Sequence, residues 1–234
     1  MWGIKVARAL ESTWPRVTQH PFNHAIKTGQ LPFKQFEQFI KQDKYYLKYY
    51  AYGLSQIAGK LSDPIQKEKL EQVAQSLFQT EQNMHKKYLP SNILATFFSP
   101  PTASLIIWPA VQNYLNHLHT AQHQAPMIAL AAHLPCVMLY TRLGREMQPY
   151  ISANHPYKSW IESYGSAKFC HIEKTLVNVV ELEAYQADEF TQTQALKAFM
   201  AAVDCEISFW NSANFNGPIG QMNILAQDVV SHIS

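Results

Sequence analysis

The sequence predicts an all-α fold: a single-domain helical bundle covering residues 1–234. Three observations predict it. Apolar residues recur three and four apart along most of the chain, the spacing that lines them up on one face of a helix. Glycine is scarce, 8 in 234 residues, and no hairpin signal lies between alternating runs. The composition, 47% hydrophobic and 15% charged, supplies a sizeable core at this length.

The elements follow in order. Val6, Leu10 and Trp14 recur four apart near the start, as on an amphipathic helix; Arg8, Glu11 and Ser12 interrupt any signal-peptide core. The next helix opens at Pro32 and carries the stripe Phe36, Phe39, Ile40, Tyr46, Leu47, Tyr50, Leu54 and Ile57. A third starts with Asp63 as cap and Pro64 at the first helical position, and runs to Tyr88 before Pro90. "FFSPPT" is a rigid loop, followed by a helix from about Ala103 to His119. "HTAQHQAP" connects to a helix that contains "HLPCVMLY" and ends about Met147. "SANHPYKSW" is a further break, and helices near 165–188, 192–213 and 218–232 complete roughly eight. No repeat or linker suggests a second domain.

Several function classes are disfavoured. The 19 basic and 17 acidic residues are interspersed, leave a net charge of +2 and form no basic stripe, so neither nucleic acid nor an acidic membrane surface is an expected partner. No run of 18 uninterrupted apolar residues suggests a membrane span. Cys136, Cys170 and Cys205 are odd in number and lack zinc-site spacing, which reads as reduced thiols in a cytoplasmic protein. No metal site is expected: Glu81 and His85 are four apart, whereas a di-iron bundle pairs Glu and His three apart on two helices. There is no Gly-rich phosphate loop and no Gly-x-Ser-x-Gly elbow.

The informative positions are polar residues where the stripe calls for apolar ones. Asp43 lies seven residues from both Phe36 and Tyr50, two helical turns each way, and therefore shares their face. Glu206 repeats the pattern on the stripe Leu196, Phe199, Met200, Val203, Ile207 and Trp210, and Glu81 falls between Leu77 and Met84. A buried carboxylate needs partners. Each of these is either a structural carboxylate bonded to another helix or part of a polar pocket within the bundle. Cys136 also faces inward, with Ala132, Leu139 and Leu143, and Tyr140 follows it by four. It is either a small inert hydrophobe or a reactive thiol. Pro135, just before it, removes a backbone hydrogen bond inside a helix; it is either a packing kink or a device that opens space beside the thiol.

These residues lie in strings that resemble one family. "HPFNHAIKTGQLPFKQFEQFIKQDKYYL", with His20-Pro21-Phe22 and Gln42-Asp43, is followed in order by "EQNMHKKY", "SPPT", "LPCVMLY", "HPYKSWIESYG" and "EISFWNSA". Together they cover nearly the whole chain and resemble TenA, the thiaminase II or aminopyrimidine aminohydrolase family, in its cysteine-containing subgroup. The resemblance implies a haem-oxygenase-like fold, a homotetramer, and no cofactor or metal. It implies hydrolysis at the exocyclic methylene of a 4-amino-2-methylpyrimidine, with thiamin or the 5-aminomethyl pyrimidine as small-molecule partner. By motif, Cys136 is the nucleophile, Glu206 handles protons and Asp43 binds the aminopyrimidine edge. Tyr46, Tyr140, Tyr164 and Phe209 line the pocket. The chain departs from the family in three places. No tyrosine follows "SPPT" before Tyr114, so either Trp108 takes that side of the pocket or the pocket is reshaped. Met138 stands where an aromatic is common, and the "HTAQHQ" loop is a few residues long.

Overall fold

Pro21, Pro64, Pro109 and Pro126 each occupy the first turn of a helix, where the missing N–H costs nothing and the fixed φ suits the entry. The computed structural model describes residues 2–89 and 106–214. Within these lie nine α-helices and no strand. They are α1 Trp2–Thr18, α2 Pro21–Lys27, α3 Phe33–Ala58, α4 Pro64–His85, α5 Pro109–Gln122, α6 Pro126–Met147, α7 Lys158–Tyr164, α8 Ala167–Gln186 and α9 Glu189–Asn214. Side-chain caps fix several starts. Asp63 accepts from the Ile65 N–H at 2.8 Å, Ser166 from Phe169 at 3.1 Å and the His20 ring from Phe22 at 3.2 Å. Gly29, at φ 71°, closes α2 in a left-handed turn in which the Gln30 N–H reaches the Ala25 carbonyl at 2.9 Å.

Helix α6 is the axis of the bundle. It packs most extensively on α9 and also touches α3, α5, α7 and α8, while α3 pairs with α4. Every residue from Met127 to Val137 is buried. By length and composition α6 could cross a membrane, but 89% of its most apolar window is buried inside the protein, so its hydropathy is that of a core helix. Pro135 sits within this helix without ending it. Its missing N–H leaves the Ala131 carbonyl without its ladder donor.

The elements differ from the sequence reading in several places, among them the short helix α2, which the sequence reading does not give. Ile106–Trp108 is not helical and α5 begins at Pro109, because a residue before proline is driven to extended ψ, 141° at Trp108. α4 ends at His85, with Lys87 and Tyr88 in tight turns back to Met84 and His85. The break "SANHPYKSW" runs into a short extra helix, α7. On α9 the buried face is centred on Ala195, Phe199, Ala202, Val203, Glu206, Phe209 and Trp210, while Leu196, Met200 and Ile207 are only half-buried. The loop "FFSPPT" and the helix expected at 218–232 lie outside the described residues.

Candidate active site

Five helices aim polar side chains at one interior region. Asp43, Tyr46 and Tyr50 come from α3, Glu81 and His85 from α4, Tyr114 from α5, Cys136 and Tyr140 from α6, and Glu206 and Phe209 from α9. All are buried, and short α7 adds buried Tyr164. Helical periodicity explains why each residue points inward. The packing of α3, α5 and α9 on α6 explains why they meet.

The three carboxyl groups have different partners. Asp43 Oδ2 lies 3.1 Å from His85 Nε2. Glu81 Oε2 accepts from the Tyr164 hydroxyl at 3.1 Å. Glu206 faces the Tyr114 and Tyr140 hydroxyls and the Cys136 thiol, yet neither of its oxygens closes a full hydrogen bond among the described residues. The buried hydroxyls of Tyr46 and Tyr114 are in the same condition. Buried polar atoms are ordinarily satisfied, so this concentration marks the place where a polar ligand would bond.

Burial dominates the electrostatics. It pushes Glu206 up to about 8, helped by the negative charge of Asp43 and opposed by the facing tyrosines and thiol. Burial, and then Asp43, raise Glu81 well above the usual carboxylate range. Asp43 is also raised by burial, against the lowering pull of His85. Burial and the neighbouring Glu206, Asp43 and Glu81 push the Cys136 thiol well up, so the thiol rests protonated beside a carboxyl that ionises near 8. Such a pair can pass a proton once a ligand changes its surroundings.

Aromatic rings wall the region. Tyr46 packs on Tyr114 with centroids 4.8 Å apart and on Phe209 at 6.3 Å; Phe209 also meets Phe39 and the edge of Trp108. Tyr140 lies on Tyr164 at 4.9 Å, and its hydroxyl accepts from Trp210 Nε1 at 3.0 Å. Asp43, Glu81 and His85 are a group whose ligand atoms all lie within 4.8 Å, near enough to hold a metal ion, but hydrogen bonds within the protein already engage each of them.

The structure thus brings Asp43, Tyr46, Cys136, Tyr140, Tyr164, Glu206 and Phe209 into one neighbourhood. Tyr140 faces Glu206, whereas Tyr164 bonds Glu81. Tyr114 was not expected at the site. It is fully buried beside Tyr46 and Glu206, while Trp108 packs against Phe209. The available signal was the inward stripe Val111, Tyr114, Leu118, but an aromatic on that stripe reads as core. Gln42 was passed over as well. Buried on α3, it accepts from the Trp108 N–H at 2.9 Å and donates to the Ile106 carbonyl at 2.8 Å, which pins the segment that carries Trp108. Cys205 follows another face of α9 and burial raises it to about 11; Cys170 is half-buried on α8, away from the cluster.

Residues 7–215 match the TENA/THI-4/PQQC family. The chain is 25% identical over 202 residues to the aminopyrimidine aminohydrolase of Bacillus subtilis, covering 86% of this chain and 84% of that protein. A solved TenA homologue from Pyrococcus furiosus matches with a TM-score of 0.78 at 17% identity, over 91% of this chain and all of that one (100%). A Shewanella denitrificans domain with a heme oxygenase-like fold matches with a TM-score of 0.66 at 11% identity, over 90% of each chain. The fold is therefore haem-oxygenase-like.

Proposed function

Because the chain belongs to the TENA/THI-4/PQQC family, we propose that it is a hydrolase of the aminopyrimidine aminohydrolase, or thiaminase II, type. Its substrates would be 4-amino-2-methylpyrimidines, either the 5-aminomethyl derivative or thiamin. Its product would be the hydroxymethyl pyrimidine used in thiamin salvage. One observation carries the reading: Cys136, Glu206 and Asp43, from three different helices, converge in a buried site walled by aromatic rings. That arrangement suits a flat, polar-edged ring held against a thiol.

The chemistry divides one hard displacement into easier steps. Glu206, ionised, takes the Cys136 proton as Sγ adds to a ring carbon, and returns it to the adjacent ring nitrogen. The exocyclic amino group, held by Asp43, then pushes electrons through the ring and expels the leaving group: an amine departs with a proton from the site, whereas the thiazolium of thiamin leaves as neutral thiazole and needs none. Water adds to the exposed methylene and gives up a proton. Sγ then leaves the ring and recovers its own. Asp43 bonds the amino group in the bound substrate and through the second step alike, so its contribution falls chiefly on binding. The pKa of Glu206, about 8, suits a group that must both give and accept protons near neutrality.

Incubating the purified protein with thiamin and with the aminomethyl pyrimidine, followed by product analysis, tests this. Release of hydroxymethyl pyrimidine that depends on Cys136 supports the reading. The raised pKa of Cys136 favours a second reading, a non-catalytic pyrimidine- or thiamin-binding protein; tight binding with no product would establish it. A homotetramer accompanies the first reading on the strength of the resemblance, and a cytoplasmic location on the strength of the three unpaired cysteines.

A further inference from the structure

Glu81 and His85 are buried on α4 and have no part in the steps above. They nevertheless join a line of polar groups that ends on the carboxylate assigned to the pyrimidine edge. The Tyr164 hydroxyl donates to Glu81 Oε2 at 3.1 Å, Glu81 Oε2 lies 4.0 Å from His85 Nε2, and His85 Nε2 lies 3.1 Å from Asp43 Oδ2. The line runs from α7 through α4 to α3. The terminal torsion of an aspartate is soft. A hydrogen bond from a fully buried ring removes that freedom. It occupies Oδ2 and leaves Oδ1, which makes no hydrogen bond among the described residues, for a donor on a ligand.

We propose that His85 is a positioning residue for the aminopyrimidine reaction, acting through Asp43, with the Tyr164-bonded Glu81 packed beside the imidazole. This rests on the function proposed above. A merely structural His85–Asp43 pair would change the melting temperature and leave KM and kcat of the folded protein alone.

The test combines kinetics on the aminomethyl pyrimidine with imidazole NMR of the intact chain. His85→Leu should raise KM roughly 10- to 100-fold, the worth of a hydrogen bond to a charged group, with a much smaller change in kcat. His85→Gln, whose amide can still donate to Oδ2, should recover most of the loss, and His85→Asn, too short to reach, should not. His85→Leu added to Asp43→Asn should cost little beyond Asp43→Asn alone. An unchanged KM in folded His85→Leu, equal KM values for the Gln and Asn variants, or fully additive losses would each overturn the proposal. The imidazole Nε2–H resonance of His85 should shift or vanish in Asp43→Asn. If the wild type turns over no aminopyrimidine, the functional reading falls by itself, and a His85 resonance indifferent to Asp43 overturns the positioning role whatever the substrate.

Discussion

A carboxyl group that ionises near pH 8 makes Glu206 the most consequential single residue in this protein. The first step needs its ionised form to take the Cys136 proton, so turnover should rise with pH toward about 8 and level off above it. Glu206→Gln should keep pyrimidine affinity, lose ~10²–10⁴-fold in rate and flatten that rise; a pH–rate profile of both proteins decides it. Stability gives a second check. The folded-state value lies above the ordinary carboxyl value of 4.5, so the folded form binds more protons than the unfolded one between about 4.5 and 8. Stability should therefore decline as pH rises through that window. Gln cannot ionise, so its melting temperature relative to wild type should climb from pH 5 to pH 8; a constant gap would count against a buried titrating carboxyl. Cys136→Ser should fold and bind the pyrimidine yet lose nearly all hydrolysis, while Cys170→Ser and Cys205→Ser turn over normally. Full activity in Cys136→Ser would remove the thiol mechanism. These residues stood out in the sequence because a polar group on an apolar face breaks the helical period. Tyr114 breaks nothing and reads as core.

Between elements, close approach decides what side chains cannot. A Cβ on Gly144 would lie 2.5 Å from the Gly165 backbone nitrogen and 2.7 Å from the Tyr164 carbonyl carbon, so α6 and α7 touch backbone to backbone there. Gly144→Ala should cost about 1–3 kcal/mol as an overpacking change. It should also lower turnover, because α7 carries Tyr164. Gly59, at the end of α3, has φ −61° and its Cβ would meet nothing nearer than 3.4 Å. Gly59→Ala should therefore be neutral or stabilise by up to ~1 kcal/mol. Thermal melts of the two variants, moving in opposite directions, check both; a Gly144→Ala protein as stable as wild type would contradict the contact. A sequence motif also repeats at this scale. In His20-Pro21-Phe22 and His155-Pro156-Tyr157 the His Nδ1 accepts from the N–H two residues on, at 3.2 Å in both, while Nε2 reaches Asn211 in one case and the Lys27 carbonyl in the other. Each motif starts a turn and ties it to a distant element, which accounts for the presence of "HPF" and "HPY" at two helix entries.

For the whole molecule, the proposed homotetramer makes a direct prediction: sedimentation at micromolar concentration should show a tetramer, and a monomer would contradict it. The three buried carboxyl groups act together on stability. Asp43, Glu81 and Glu206 are all raised by burial, so the fold should be most resistant to heat on the acid side of neutrality and lose resistance toward alkaline pH. Melting curves from pH 5 to 9 would show this directly.

By itself the sequence determined the all-α class, most helix starts and the inward direction of Asp43, Glu81, Cys136 and Glu206, because caps, prolines and a 3.6-residue period act within one element. Only the tertiary structure decided which inward residues meet. Residues 43, 136 and 206 become neighbours through the packing of α3 and α9 on α6, and Tyr164 turns to Glu81 while Tyr140 turns to Glu206. The recruitment of Gln42 and Tyr114 was likewise settled by contacts between helices. The reason is physical: periodicity fixes the face a side chain lies on, whereas its partner depends on how two helices cross, and that is set by the shapes of all the side chains between them.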